Sequence, residues 1–249
     1  MDNKIEIISN KKMDLPVPKF LCDGNICGPH LNNYPMLTHL NKFNTTCFLG
    51  RPGAGKTSLL VSMLTAKGPN RIFYKTFDKI IVIMPSSSRA SLKVNPFRDH
   101  PPERIFDELN LENLSAIYDM IQEHAEDKET TLLIMDDVGS DIKNKEIQKI
   151  LKKLAYNRRH LKLCQFFLLQ SYTATPKDIR KLFSNIIIFK PSKVEAENII
   201  EECLEHKKDV ALDILQLYQN PHDFLFLNIT TQQLYFNWNT VVIHDKDEK

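Results

Sequence analysis

Gly50-Arg51-Pro52-Gly53-Ala54-Gly55-Lys56-Thr57 is the stretch on which the reading of the fold turns. It satisfies the pattern G-x-x-x-x-G-K-[ST] at every fixed position. It follows Thr45-Thr46-Cys47-Phe48-Leu49, a β-branched and apolar run that reads as a buried strand, and it precedes the helix-compatible run Ser58-Leu59-Leu60-Val61-Ser62-Met63-Leu64. Strand, glycine-rich turn and helix form the setting of a phosphate-binding loop. Its glycines permit positive φ and bring successive N–H groups onto phosphate oxygens at the positive end of the helix. The nucleotide-binding set is therefore Gly50, Arg51, Pro52, Gly53, Ala54, Gly55, Lys56, Thr57 and Ser58. Lys56 is expected between the β- and γ-phosphates of a nucleoside triphosphate, with the Thr57 hydroxyl on Mg²⁺.

Working outward, Thr130-Thr131-Leu132-Leu133-Ile134-Met135-Asp136-Asp137 delivers two carboxylates at the end of an apolar strand, the edge where open α/β sheets bind ligands. Asp136 is expected to hold Mg²⁺ through water, completing a shell with Thr57, and Asp137 to orient the attacking water or accept its proton. A pair of Asp residues at a strand end also serves as a turn or a helix N-cap; the phosphate loop upstream favours the catalytic role. Cys164-Gln165-Phe166-Phe167-Leu168-Leu169-Gln170-Ser171 is a further buried strand. Gln170 reaches the γ-phosphate or its water if this strand lies between those ending at Asp137 and at the phosphate loop. Phe77 to Pro85 and Asn185 to Pro191 supply two more strands. Helices are expected around Pro102 to Glu108, at Leu111 to Glu126, from Thr175 with Pro176 at its first position, and over Val194 to Tyr218 with a break near Lys207-Lys208-Asp209. Phe224 to Ile229 and Gln233 to Trp238 read as a C-terminal β-hairpin.

The chain has 249 residues, 42% hydrophobic and 26% charged, which is ordinary globular usage with enough material for a large core. The expected organisation is an irregular N-terminal arm over residues 1–40, rich in prolines, and a single domain over 41–249. The longest apolar runs fall far below the roughly 20 residues of a membrane span, so no membrane partner is expected. The N-terminus lacks the layout of a secretory signal, and the five cysteines are odd in number, so free thiols in a reducing compartment are expected. Cys22, Cys27 and His30 have spacing tolerable for part of a zinc site, without a second ligand pair. Net charge is only +2, yet Lys143, Lys145, Lys149, Lys152, Lys153, Arg158, Arg159 and Lys162 crowd one segment against the single acidic residue Glu146. Such a segment either contacts phosphates or is a solvated helix face.

Taken together, GRPGAGKTS at 50–58, FDKIIVIMP at 77–85, LLIMDDV at 132–138, NRRHLK at 157–162 and FFLLQSY at 166–172 make the chain resemble the poxvirus-type DNA-packaging ATPases of large DNA viruses and virophages. These are a branch of the FtsK/HerA superfamily of ring-forming DNA pumps. The resemblance covers roughly Cys47 to Pro191. It implies an α/β P-loop NTPase of the additional-strand type, with a central, mostly parallel sheet flanked by helices and ending in the C-terminal hairpin. It further implies ATP and Mg²⁺ as cofactors, hydrolysis of ATP to ADP and phosphate, and a hexameric or pentameric ring. Sequence-independent binding of double-stranded DNA, viral capsid partners and residence in the host cytoplasm, at viral factories or in virions, complete the picture. In the family an arginine just before the fourth strand serves the neighbouring subunit's nucleotide; Arg159 matches that position best and Arg158 is the alternative. Asp137 stands where many relatives in the wider superfamily carry Glu. The rival expectations are a small-molecule kinase and a nucleotide-dependent switch that recruits DNA or capsid components without pumping.

Overall fold

The computed structural model describes residues 4–8, 43–67, 72–90, 95, 97–204 and 209–244. Its frame is one sheet of ten strands. In chain order these are β1 (Lys4–Ile8), β2 (Thr45–Leu49), β3 (Lys79–Ile83), β4 (Ile105–Phe106), β5 (Thr131–Asp136), β6 (Leu163–Leu169), β7 (Asn185–Phe189), β8 (Phe224–Asn228), β9 (Gln233–Phe236) and β10 (Asn239–His244). The spatial order is β1-β10-β9-β8-β7-β2-β6-β5-β3-β4. From β7 to β4 all neighbours are parallel, and from β7 outward to β1 all are antiparallel. The strand inserted between β2 and β5 is β6, as the expected role of Gln170 requires, whereas β3 lies on the far side of β5.

The central strands are continuous apolar runs because helices cover both faces. Every residue of β2, β5, β6 and β7 is buried. Since successive side chains alternate across a strand, the core divides in two. Phe48, Ile134, Phe166, Leu168 and Ile187 point to one face, where they pack with Leu60 and Met63 of α1 (Lys56–Thr65). Cys47, Leu49, Leu133, Met135, Phe167 and Ile188 point to the other. There they meet Leu114, Ile117 and Ile121 of α3 (Leu111–Glu126), Ile147, Leu151 and Leu154 of α4 (Lys145–Tyr156), and Ile199 and Ile200 of α6 (Lys193–Cys203). The short helices α2 (Ser86–Ala90) and α5 (Lys177–Arg180), and α7 (Asp209–Leu217), complete the α-helices among the described residues.

Local chemistry fixes the helix starts. Asn110 accepts a hydrogen bond from the Asn113 N–H (2.8 Å), Asn144 from that of Glu146 (2.9 Å) and Ser192 from that of Glu195 (3.3 Å), each satisfying an otherwise orphaned donor. α1 differs: it begins after Gly55, with no side-chain cap.

Four expectations are corrected in detail. Pro102–Arg104 is a 3₁₀ turn, and Ile105–Phe106 pairs with Val82–Ile83 as β4, so the helix expected over Pro102 to Glu108 is absent. Pro176 is the N-cap of α5, not its first helical residue. The C-terminal hairpin ends at Phe236; Asn237 (φ 44°) and Trp238 (φ 72°) form a tight two-residue turn with the geometry of a type I′ hairpin loop, and the chain returns as β10. Within the arm expected to be irregular, Lys4–Ile8 is a strand paired antiparallel with β10, from Lys4↔His244 to Ile8↔Thr240. The Cys22, Cys27 and His30 reading lies outside the described residues.

Candidate active site

β2 ends at Leu49 and hands the chain to a loop anchored on its neighbour: the Gly50 N–H donates to the Leu169 carbonyl of β6 at 3.1 Å. Gly50 is itself buried, and a Cβ added there would lie 2.9 Å from Cβ of Phe189, so the loop passes close over the end of β7. Arg51, Pro52 and Gly53 are exposed, and the Ala54 N–H closes a turn onto the Arg51 carbonyl (3.1 Å). Gly53 (φ +76°) and Gly55 (φ +110°) occupy the left-handed half of conformational space, which side chains disfavour. From there α1 begins, and its first-turn N–H groups, on Lys56, Thr57 and Ser58, have no intrahelical acceptor. A concave backbone with uncapped donors at the positive end of a helix is suited to phosphate.

Lys56 is buried, and its Nζ donates to the carbonyls of Gly50 (2.6 Å) and Arg51 (3.2 Å). Burial pushes its pKa down, while the charges of Asp136 and Asp137 pull it back up. Asp136 is buried at the end of β5, and Thr57 Oγ1 donates to its Oδ2 at 3.1 Å across 79 positions of sequence. Burial raises the Asp136 carboxyl above its ordinary value; the Thr57 hydrogen bond and the Lys56 charge oppose that shift. A hydroxyl and a buried carboxylate side by side, with a cation behind them, are the hard oxygen donors that Mg²⁺ takes alongside phosphate oxygens and water. The residues fit that ion.

One residue on, Asp137 is exposed and left-handed (φ 59°), so the chain turns and its carboxylate meets Gln170 Nε2 at 2.8 Å. Gln170 sits at the C-terminal end of β6. A cleft of about 410 Å³ opens beside the pair, lined also by Ser140, Lys143, Ser171 and Thr175. Asp137, Gln170, Lys56, Thr57 and Asp136 thus gather at one edge of the sheet.

Arg158 and Arg159 do not join them. They precede β6, whereas Gln170 follows it; parallel pairing puts them at the opposite edge, about 20 Å away along seven strand residues. Arg158 is half-buried and its guanidinium donates within the chain, Nε to the Phe43 carbonyl (3.0 Å) and Nη1 to that of Ala155 (2.9 Å). Arg159 is exposed. The basic segment is likewise partly consumed internally: Lys152 pairs with Asp178 (2.9 Å), and Lys153 sits over the Tyr118 ring (4.4 Å).

Two residues had no signal in the sequence. Glu195, in the first turn of α6, accepts from Ser171 Oγ (2.6 Å) and from the Tyr172 N–H (2.8 Å), fixing the backbone just beyond Gln170. His222, in the loop before β8, donates from Nδ1 to the Ala54 carbonyl at 3.1 Å and flanks the phosphate loop on the side away from Gln170.

Among solved structures the chain is similar to the genome packaging NTPase B204 of Sulfolobus turreted icosahedral virus 2 in complex with AMP. The TM-score is 0.57 at 17% identity, covering 79% of this chain and 98% of that one. The complex of the same NTPase with ATP-gammaS matches with the same four values. The DNA-packaging ATPase B204 of Sulfolobus turreted icosahedral virus matches with a TM-score of 0.56 at 16% identity, over 78% of this chain and 96% of that one. At such identities the likeness is one of fold. No curated protein sequence matches the chain. A family match runs over residues 37–246 and takes in every residue of the site from Gly50 to Gln170, bearing out the resemblance drawn from the motifs: the chain belongs to the Poxvirus A32 protein family.

Proposed function

We propose that the chain is an ATP-driven motor that moves double-stranded DNA into a viral capsid, working as a ring of five or six subunits. The observation that carries this reading is the convergence of Lys56, Thr57–Asp136 and Gln170–Asp137 at one sheet edge, with β6 between β2 and β5. In it, the loop N–H groups and Lys56 hold the triphosphate and offset the charge on its oxygens, and Thr57 and Asp136 hold Mg²⁺, which supplies further charge neutralisation. Asp137 orients the attacking water and draws its proton, while the Gln170 amide, hydrogen-bonded to that same carboxylate, senses whether a γ-phosphate is present.

Arg159 is the residue proposed to act on a neighbour's nucleotide. It lies too far from its own site to serve there, it is exposed, and a guanidinium at the transferring phosphoryl group contributes several orders of magnitude in rate. Arg158, held by Phe43 and Ala155, is the weaker candidate. The basic residues left exposed on and around α4, such as Lys145 and Lys149, suit contact with the DNA backbone without sequence preference. Capsid components are the further partners, and the host cytoplasm, at viral factories or in virions, is the place of action.

The test is steady-state ATP hydrolysis with and without long double-stranded DNA, for the wild type, Lys56→Ala and Arg159→Ala, with the assembly state of each. The motor reading expects DNA to stimulate turnover and Arg159→Ala to abolish it while rings still form. Turnover that ignores DNA and survives Arg159→Ala in a monomer would point to a kinase. Slow turnover whatever DNA is added would point to a recruitment switch.

A further inference from the structure

The triphosphate reading fixes where the γ end of a nucleotide lies, on the β6 side of the phosphate loop, beside Gln170, Asp137 and the Thr57–Asp136 pair. A phosphate chain laid along the loop then delivers its nucleoside to the other side, over the C-terminal end of β7 and the start of β8. His222 stands there. Its Nδ1 is 3.1 Å from the Ala54 carbonyl, and a Cβ added at Gly55 would lie 3.2 Å from the same nitrogen.

The chemistry of this contact sets the tautomer. A carbonyl oxygen only accepts, so Nδ1 carries the proton and donates it, and in the neutral ring Nε2 is left with a lone pair. His222 is exposed, and Nε2 has no partner among the described residues. The backbone that carries the ring is also well braced. The next residue, Asp223, accepts from the N–H groups of Gln219 (2.9 Å) and Asn220 (2.7 Å). Its other oxygen accepts from Asn237 Nδ2 (2.7 Å), and Asn237 Oδ1 in turn accepts from the Phe224 N–H (3.0 Å). Five hydrogen-bonding groups from the 219–224 loop and the Asn237 turn therefore tie down the segment bearing His222, although none belongs to the phosphate loop itself. Bracing of this kind holds a recognition group in one geometry before its ligand arrives.

Resting on the nucleotide reading above, we infer that His222 is a nucleoside-recognition residue, its Nε2 accepting a hydrogen bond from a donor on the nucleoside: the ribose 2′-hydroxyl or the exocyclic amino group of adenine. It does so while Nδ1 buttresses the loop that holds the phosphates. The same residue thus couples the seating of the sugar and base to the shape of the phosphate cradle.

The two roles are separable with His222→Asn, because the Asn amide nitrogen retains a donor near the position of Nδ1 and nothing replaces Nε2. Calorimetric titration of the full chain, wild type and His222→Asn, with ATP, 2′-deoxy-ATP, inosine triphosphate and inorganic tripolyphosphate reads them apart. The inference expects His222→Asn to weaken ATP roughly 3- to 10-fold, the loss of one hydrogen bond, and to leave tripolyphosphate unchanged. The analogue that lacks the recognised donor should bind wild type and variant alike, 2′-deoxy-ATP if the ribose supplies it and inosine triphosphate if the 6-amino group does. Equal weakening of ATP and tripolyphosphate, or of ATP and both analogues, would overturn the inference and leave His222 a brace for the loop. So would an unchanged ATP affinity. Lys56→Ala is the control for the underlying reading: if it binds ATP as the wild type does, the nucleotide site itself is misplaced and the inference about His222 falls with it.

Discussion

Gly53 and Gly55 lie two residues apart in the same loop, both left-handed, yet the structure assigns alanine very different costs at the two positions. At Gly53 (φ +76°) an added Cβ meets no heavy atom within 4 Å, so only backbone strain counts. Left-handed backbone costs an L-residue about 1–2 kcal/mol, offset by about 0.4–1 kcal/mol because alanine restricts the unfolded chain. The net for Gly53→Ala is about 1 kcal/mol. At Gly55 the φ of +110° lies further from any well a side chain tolerates, and the Cβ would sit 3.2 Å from His222 Nδ1 and 3.3 Å from Phe189 Cε1. Strain of about 1–3 kcal/mol and overpacking of about 1 kcal/mol or more then add, for a net of about 2–3 kcal/mol.

For a chain of this length each kcal/mol moves the melting temperature by about 2–4 °C. Thermal unfolding of the nucleotide-free protein should therefore show a drop of a few degrees for Gly53→Ala and two- to three-fold more for Gly55→Ala. A cycle with His222→Ala separates the two parts of the second cost. Removing the ring relieves its share of the crowding and leaves the strain and the Phe189 contact, so Gly55→Ala should cost less in that background than in the wild type, by about 0.5–1 kcal/mol. Equal costs for the two glycines, or a cycle with no coupling, would refute the claim that His222 closes on the loop.

Arg158→Ala strips the donors from the carbonyls of Phe43 and Ala155. It should lower stability by about 1–3 kcal/mol in chemical denaturation; an unchanged denaturation midpoint would refute the anchoring role assigned to Arg158. Asp78 clips the start of β3 to that of β5, accepting from the Thr130 N–H (2.8 Å) and Oγ1 (2.7 Å), and these bonds hold its carboxyl below the usual carboxylate range. Because its folded pKa is depressed, the stabilisation is present at neutral pH and lost as the pH falls from the unfolded value through the folded one. The site is exposed, so Asp78→Asn should cost about 1 kcal/mol or less at pH 7, and the difference from wild type should shrink steadily in acid. A difference independent of pH would assign the clip no charge contribution.

How much of this could be read from the chain depends on how local each determinant is. β2, β5, β6 and β7 were legible because a strand buried on both faces is a continuous apolar run, and the phosphate loop because its backbone demands glycine at fixed intervals. The 102–108 segment was misread for an equally local reason. Pro102, Glu103 and Arg104 look like a helix start, and only the edge of β3, which Ile105–Phe106 joins, turns the next residues into a strand. The Asn237–Trp238 turn carries no glycine, so its positive φ values had no marker, and β10 behind it stayed hidden.

The site shows the same division. Lys56, Thr57 and Asp136 carry motif signals, since each is bound to a backbone geometry the sequence itself encodes. The value of Gln170 depended on strand order, a property of the whole sheet: with β6 beside β2 and β5 its amide meets Asp137, whereas on an outer strand the same residue would merely begin a loop. Arg158 and Arg159 are neighbours of identical chemistry, and it is the fold that lets the Arg158 guanidinium reach the Phe43 carbonyl, 115 positions away. His222 is the extreme case. It is a solitary histidine 168 positions beyond Ala54, brought to the phosphate loop because β8 pairs antiparallel with β7 and so starts at the edge where β2 ends. Motif and topology therefore carry different halves of this site: the motif marks Lys56, Thr57 and Asp136, and the sheet order brings Gln170 to one flank of the loop and His222 to the other.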